Sequence, residues 1–343
     1  MKPLEDILRN AASAQKTIVL SEGTDPRVVQ AALDARKQDV AKIILVLDNG
    51  PDTKRPAALD ETIDGLEVHD PSNSPLTQEL ADLYYSMRKH KGISPEQALE
   101  QTKLAHVYAA LLVKAGHADG CIGGAVLSSA EVIKTAIQVI GVAEGTKLVS
   151  SFFLFLFCED HHTRKGACIF SDAGLVVDPS AEELCEIAIA SARSFQDLTN
   201  EQARIAMLSF STRGSAQHHA VSKVQKATDL ARAAAPDLLI DGELQFDAAF
   251  VPEVAQSKAA DSPIAGNANV FIFPNLDAGN IGYKIAQRIG GATAIGPILQ
   301  GLSHPANDLS RGCSSEDILH MIAVTTAQSL HKDKTTTSVE QPV

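Results

Sequence analysis

An α/β fold with a mostly parallel sheet is what three features of this 343-residue sequence predict. Apolar, β-prone runs alternate with helical patterns along nearly the whole chain, and repeated β-then-α units require crossover connections. Several runs are unbroken Val, Ile, Leu and Phe without polar alternation, as in strands covered on both faces. Hydrophobic residues make up 45% and charged residues 21% of the chain, enough to bury a sizeable core. The length suits two domains or one large one.

Taken in order, the expected strands are residues 17–21, 43–47, 121–123, 148–157, 167–171, 203–210, 238–240, 270–274 and 294–298. Helix starts lie between them. Ser94 offers an N-cap, with Pro95 at the first helical position and Gln97 placed to complete a capping box. Ser180 and Glu183 form a second such pair, opening a helix over 181–193, and a third helix over 218–234 is ended by Pro236. The apolar run 148–158 is about half the length of a membrane span and reads as a buried strand. The acidic N-terminus lacks the apolar centre of an export signal, and the polar residues 331–343 are expected to be a disordered tail. No Pro/Gly/Ser-rich linker separates domains.

Composition excludes several functions. Acidic residues outnumber basic ones 42 to 30, a net charge of −12, which opposes general nucleic-acid or anionic-membrane binding. With 4% aromatics and no Trp, few surfaces remain on which bases could stack. The five cysteines, Cys121, Cys158, Cys168, Cys185 and Cys313, are odd in number and lack a CxxC pair, which fits a reducing cytoplasm. GxGxxG after a strand, HExxH and GxSxG are absent, and the stretch from Gly141 to Lys147 is one residue short of a P-loop. The pairs His161–His162 and His218–His219 lack helical ligand spacing. A soluble protein acting on a small molecule remains. An anionic substrate would need a local cluster of Arg and Lys.

In parallel sheets, ligands sit beyond the carboxyl ends of strands. Four loops in such positions are rich in small polar residues: 21–24, 123–129, 209–215 and 274–284. The most informative stretch follows the last expected strand. Ser310, Arg311 and Gly312 precede a helix that begins near Ser314, where free N–H donors and a guanidinium fork would suit a phosphate or carboxylate. On spacing alone, a helix-capping pair of Ser314 and Asp317 is the favoured reading, because capping boxes are common. Arg88 opens the densest basic run, Arg88-Lys-His-Lys-Gly92, which could equally complement a helix dipole. Ser128, Ser129 and Lys134 form a third element, and Asn280, Tyr283 and Lys284 a fourth.

Together these elements resemble a known family. The segments Arg88-Lys-His-Lys-Gly92, Ala118-Asp-Gly120, Gly124-Ala-Val-Leu-Ser-Ser-Ala130, residues 206–216 and 241–249, Phe273-Pro-Asn-Leu-Asp-Ala-Gly-Asn-Ile-Gly-Tyr-Lys284, and Gln300-Gly-Leu through Asp308-Leu-Ser-Arg-Gly-Cys-Ser314 carry it. The chain resembles the phosphate acyltransferase family, and within it phosphate acetyltransferase (phosphotransacetylase), from Ile18 to Thr326. The resemblance implies two α/β domains of isocitrate/isopropylmalate dehydrogenase-like architecture with a cleft between them. Residues 1–145 plus 297–330 would form the first domain and 146–296 the inserted second. It also implies reversible acetyl transfer between CoA and phosphate, no metal or other cofactor, and a homodimer. The partners are then small molecules (CoA, acetyl phosphate and phosphate), with no nucleic acid or membrane.

By position, the resemblance makes Arg311 the binder of the acyl-phosphate phosphoryl group, Ser310 its neighbouring hydroxyl and Asp317 the general base on the CoA thiol. Arg88 matches a CoA- or phosphoryl-binding arginine, and Ser128, Ser129, Asn280 and Tyr283 match loops facing the acyl phosphate. Lys134 stands where the family usually has Arg, keeping the charge and losing the bidentate fork. Arg88, Lys134, Lys284 and Arg311 are expected to converge in the cleft. Cys313 has no evident base partner, so direct transfer is favoured over an acyl-cysteine. The alternatives are a butyryl-preferring relative, a non-catalytic CoA-sensing module, and a dehydrogenase of the fold relatives. The last lacks a recognisable paired-Asp metal site and nucleotide signature.

Overall fold

The computed structural model describes residues 2–48, 56–59 and 62–337, and the chain divides into two compact units. One comprises Leu4–Gly145 and Leu302–Val343, the terminal unit; the other comprises Thr146–Gly301 with Met1–Pro3, the middle unit.

The terminal unit is built from α1 (Lys2–Ala14), β1 (Thr17–Leu20), α2 (Pro26–Lys37), β2 (Lys42–Val46), β3 (Leu66–His69), α3 (Thr77–Arg88), α4 (Pro95–Thr102), α5 (Ala105–Lys114), β4 (Gly120–Gly123) and α6 (Ser129–Thr135). Local chemistry sets the helix starts. Asp25 caps α2 by accepting from the Arg27 N–H, with Pro26 in the first turn, and Ser94 with Gln97 makes both bonds of a capping box on α4.

The chain then forms the middle unit: β5 (Ser150–Phe157), β6 (Gly166–Ser171), α7 (Ala181–Thr199), β7 (Arg204–Leu208), α8 (His219–Ala234), β8 (Leu239–Leu244), α9 (Phe246–Phe250), α10 (Pro252–Lys258), β9 (Val270–Ile272), α11 (Leu276–Arg288) and β10 (Thr293–Gln300). It returns to the terminal unit with β11 (Ala306–Asp308) and α12 (Ser315–Thr337).

Among the described residues the terminal sheet runs β11-β4-β1-β2-β3, with every neighbouring pair parallel. Helices cover both faces. Gly120 faces Thr325 of α12, whereas Cys121 and Gly123, on the opposite pleat, face a small cavity that His106 and Ala109 of α5 also line. Ile18, Val19, Leu20 and residues 43–46 are buried between these layers.

The middle sheet runs β10-β5-β6-β9-β7-β8 and is mixed, with parallel pairs still in the majority. β5 is antiparallel to both β10 and β6, while β6, β9, β7 and β8 pair in parallel. The unbroken run in β5 reports burial of both faces, which a central antiparallel strand satisfies as well as a parallel one. Phe153, Phe155, Phe170, Phe271 and Phe273 form the aromatic core here. β10 continues through the expected boundary at 297 to Gln300, its register shifting between Ile295 and Ile298 around Pro297.

Two strands escaped the sequence reading. β3 is a sheet edge with no fully buried residue, and β11 is the weakly β-prone Ala306-Asn307-Asp308. The tail expected to be disordered from 331 is helical to Thr337, because extending a long helix costs less than starting one; residues 338–343 lie outside the described residues.

Candidate active site

β1, β4 and β11 are neighbours in the terminal sheet, so their outgoing loops meet at one sheet end. The β1–α2 loop contributes Glu22, which is 2% exposed. Its carboxylate accepts the N–H groups of Ala125 at 2.7 Å, Val126 at 2.9 Å and Leu127 at 2.8 Å, and so shapes the β4–α6 loop. Arg27 ties all three loops together. Its guanidinium donates to Asp25 Oδ2 at 2.8 Å and to the carbonyls of Ala125 at 2.9 Å, Arg311 at 2.8 Å and Cys313 at 3.0 Å. That ion pair holds the Asp25 carboxyl below the usual carboxylate range.

With its carbonyls anchored in this way, the β11–α12 loop presents Ser310 and Arg311 to solvent. The Leu309 N–H donates to Gly123 O at 2.8 Å and the Cys313 N–H to Ser310 O at 2.9 Å, closing a tight turn before α12. Ser314 and Asp317 form the reciprocal cap. Asp317 Oδ2 accepts from the Ser314 N–H and hydroxyl at 2.9 Å each, and Ser314 Oγ accepts from the Asp317 N–H at 3.1 Å. Capping therefore occupies one oxygen of Asp317, an exposed residue, and Oδ1 lies outside these bonds. Cys313 is buried, which raises its thiol pKa and works against a thiolate nucleophile.

Ser128 caps α6, accepting from the Glu131 N–H and donating to its carboxylate at 2.9 Å; Ser129 and Lys134 are exposed on the same helix. Arg88 is the half-buried last residue of α3, beside the exposed turn Lys89–Lys91. Among the described residues, no hydrogen bond ties Arg88 to the three loops. Asn280, Tyr283 and Lys284 belong to α11 of the middle unit. Asn280 donates to Ala173 O at 3.2 Å, and the Tyr283 ring stacks on Phe153 with centroids 3.9 Å apart. Lys284 is exposed, with its Nζ 5.7 Å from the Tyr283 ring centroid. Burial raises the Tyr283 pKa. Among the described residues, no group of three or more His, Cys, Asp or Glu is placed to hold a metal.

Sequence reasoning missed Glu22, Arg27 and Asp308 as site-forming residues. Arg27 left a signal: a cation in the first turn of a helix opposes the dipole and needs another reason to be there. Asp308 ends β11 and is fully buried, yet neither carboxylate oxygen has a hydrogen-bond partner. The Ser129 hydroxyl and the Leu309 N–H lie close enough to favour its charged form. Burial pushes its pKa up to about 6; Ser129 counters this and the charge of Glu22 adds to it.

A shift from the ordinary 3.8 to about 6 corresponds to ~3 kcal/mol of destabilisation by the ionised form. The sign follows from the raised value. The penalty is complete above pH 6, shrinks as pH falls, and is gone below the unfolded value near 3.8. Asp308→Asn is therefore expected to raise the denaturant midpoint at pH 7.5, with the gain vanishing by about pH 4. Equal midpoints at pH 7.5 would refute an uncompensated charge at this position.

A parallel α/β sheet whose strand ends carry an arginine and a serine before a helix N-terminus defines an anion-binding α/β protein, and the family comparison makes it a transferase. The model described as Phosphate acetyl/butaryl transferase matches residues 3–326, and the chain belongs to that family. More particularly, it is 47% identical over 329 residues to the phosphate acetyltransferase of Acetivibrio thermocellus, covering 96% of this chain and 98% of that one. Among solved structures it is similar to a phosphotransacetylase from Streptococcus pyogenes (TM-score 0.87, 38% identity, 96% and 98% coverage). The EutD phosphotransacetylase from Staphylococcus aureus gives a TM-score of 0.85 at 40% identity, again with 96% and 98% coverage.

Proposed function

We propose that this chain catalyses reversible acetyl transfer between CoA and inorganic phosphate by direct thiol attack on acetyl phosphate. The observation carrying this reading is the exposed Ser310–Arg311 pair, held at the start of α12 by Arg27, in a chain that matches phosphate acetyltransferases over 96% of its length. The CoA sulfur forms a bond to the acetyl carbon, the carbonyl carbon–oxygen bond to phosphate breaks, and the thiol proton goes to a base. The Arg311 fork binds the departing phosphate, while Ser310 and nearby backbone N–H groups stabilise the oxyanion.

Asp317 takes the proton through Oδ1. A thiol with pKa near 8.5 is only ~3% thiolate at pH 7, so a base is useful. The base acts as the sulfur attacks, so that a free thiolate need not accumulate. The raised thiol pKa of buried Cys313 supports direct transfer over an acyl-cysteine intermediate.

Substrate-binding roles are proposed for Arg88, Ser128, Ser129 and Lys134 on the terminal unit, and for Asn280, Tyr283 and Lys284 on the middle unit. The reading also includes a homodimer in the cytoplasm that needs no metal or other cofactor. Among the described residues, no helix is long and apolar enough to cross a membrane. Purified protein mixed with CoA and an acetyl-to-butyryl phosphate series is expected to form acetyl-CoA fastest. No acyl-CoA from any donor at millimolar concentration would sink the enzyme reading, and faster butyryl transfer would reassign the substrate.

A further inference from the structure

Asp308 stands out because burial outweighs what its surroundings offer, the Ser129 hydroxyl and the Leu309 N–H. It pairs in register with Gly123, and a Cβ added to the next residue, Gly124, would lie 2.3 Å from Asp308 Oδ1. Gly124 also adopts φ +106°, so the loop backbone reaches this close approach only with glycine. The carboxylate is thus pressed against the β4–α6 loop, two residues ahead of Ser310. Its packed position leaves little room for a counter-ion.

The neighbouring charges do not supply one either. From the β1–α2 loop comes Glu22, whose negative charge disfavours ionised Asp308. Arg27 on α2 is committed to Asp25 and to three carbonyls. On α6, Ser129 is uncharged and Glu131 is engaged with Ser128. His106 on α5 and His320 on α12 are held towards their neutral forms by burial. Asp317, at the start of α12, is a further acidic residue. Asp48, beyond Glu22, is bound by the Thr24 hydroxyl at 2.5 Å and is itself shifted upward by burial.

We propose that Asp308 is a positioning residue that takes up a proton when a dianion binds at Ser310 and Arg311, so that anion affinity and the protonation of Asp308 are reciprocally linked. The proposal rests on the reading of Ser310–Arg311 as the phosphate-binding loop. Two negative charges brought to this loop favour the neutral form of a buried acid two residues away. By linkage, the neutral form of that acid favours the dianion equally. The neutral carboxyl also gains an O–H donor and stops repelling Glu22 across the loop that both residues shape. Affinity then rises as pH falls through the range around pH 6 in which Asp308 titrates.

Sulfate is the probe, because it stays a dianion across this range whereas phosphate titrates within it. Its dissociation constant for the full-length protein is measured by calorimetry from pH 5.5 to 7.5, in two buffers of different ionisation enthalpy. The expected result is an affinity about tenfold higher at the acid end, with net proton uptake on binding near pH 6. Asp308→Asn should flatten the profile to within about twofold and abolish the uptake. Ser129→Ala, which removes the hydroxyl opposing the upward shift, should move the midpoint to higher pH.

A wild-type profile without proton uptake, or an Asp308→Asn protein that keeps the wild-type slope, overturns the proposal. Should the Asn variant fail to fold, the two-buffer measurement on the wild type decides alone. Failure of the activity reading is separately visible: acyl transfer would be absent, or sulfate binding would survive Arg311→Ala unchanged.

Discussion

Arg311→Ala is expected to lower kcat/KM for acetyl phosphate by about 100- to 1,000-fold, a loss of ~3–4 kcal/mol of transition-state stabilisation. The reason is geometric. The backbone carbonyl of Arg311 is bound by Arg27, which leaves the exposed guanidinium free of any role in holding the loop. The thermal midpoint should therefore not move, because truncation leaves every loop anchor in place. Arg311→Lys should recover only part of the rate, since an ammonium keeps the charge without the planar fork. Steady-state rates with varied acetyl phosphate, alongside thermal unfolding, make the check. Wild-type kcat/KM in the Ala variant would remove Arg311 from the reaction, and a large drop in midpoint would reassign it to structure.

Arg27→Ala is expected to damage both stability and activity. It removes the partner of Asp25 and the donor to three carbonyls from two different loops. An orphaned buried acceptor costs ~1–3 kcal/mol. The Arg27 side chain is 32% exposed, so water replaces some of these bonds and the ion pair itself counts for little. A net loss of ~2 kcal/mol follows, together with about 100-fold in kcat as Ser310 and Arg311 lose alignment with the β4–α6 loop. Urea unfolding and turnover separate the two effects. A variant that loses stability but keeps kcat would show that Arg27 braces the fold without aligning the chemistry.

What could be read in the sequence was whatever is encoded within a few residues. The caps Ser94–Gln97, Ser180–Glu183 and Ser314–Asp317 each span three residues, and all three form as read. Apolar runs placed most strands for the same local reason. Pairing partners are another matter. Ala306–Asp308 is a strand because it pairs with β4, and nothing in Ala-Asn-Asp itself favours extension. The direction of β5 relative to its neighbours was equally hidden, since burial of a strand carries no sign of orientation.

At the candidate site the same division holds. Ser310 and Arg311 drew notice because they crowd one short segment before a helix, and Asp317 because it caps that helix with Ser314. Arg27 did not, because its carbonyl partners lie 98, 284 and 286 residues away in sequence. Tyr283 was expected in a loop facing the acyl phosphate, yet it lies on α11 and its ring stacks on Phe153 in the aromatic core, a contact no local pattern announces.

The split terminal unit also has a consequence for biosynthesis. Gly123 and Asp308, paired residues of adjacent strands, are separated by 185 positions in the chain. A ribosome adding ~5–20 residues per second would deliver β11 ~10–40 s after β4. Throughout that interval β4 presents a bare hydrogen-bonding edge, and Arg27 has no Arg311 or Cys313 carbonyl to hold. Until β11 emerges, a nascent chain holds a partial scaffold without the Ser310–Arg311 loop that follows it. The same event covers the bare edge of β4 and leaves the three-residue β11 as the shorter edge of the sheet.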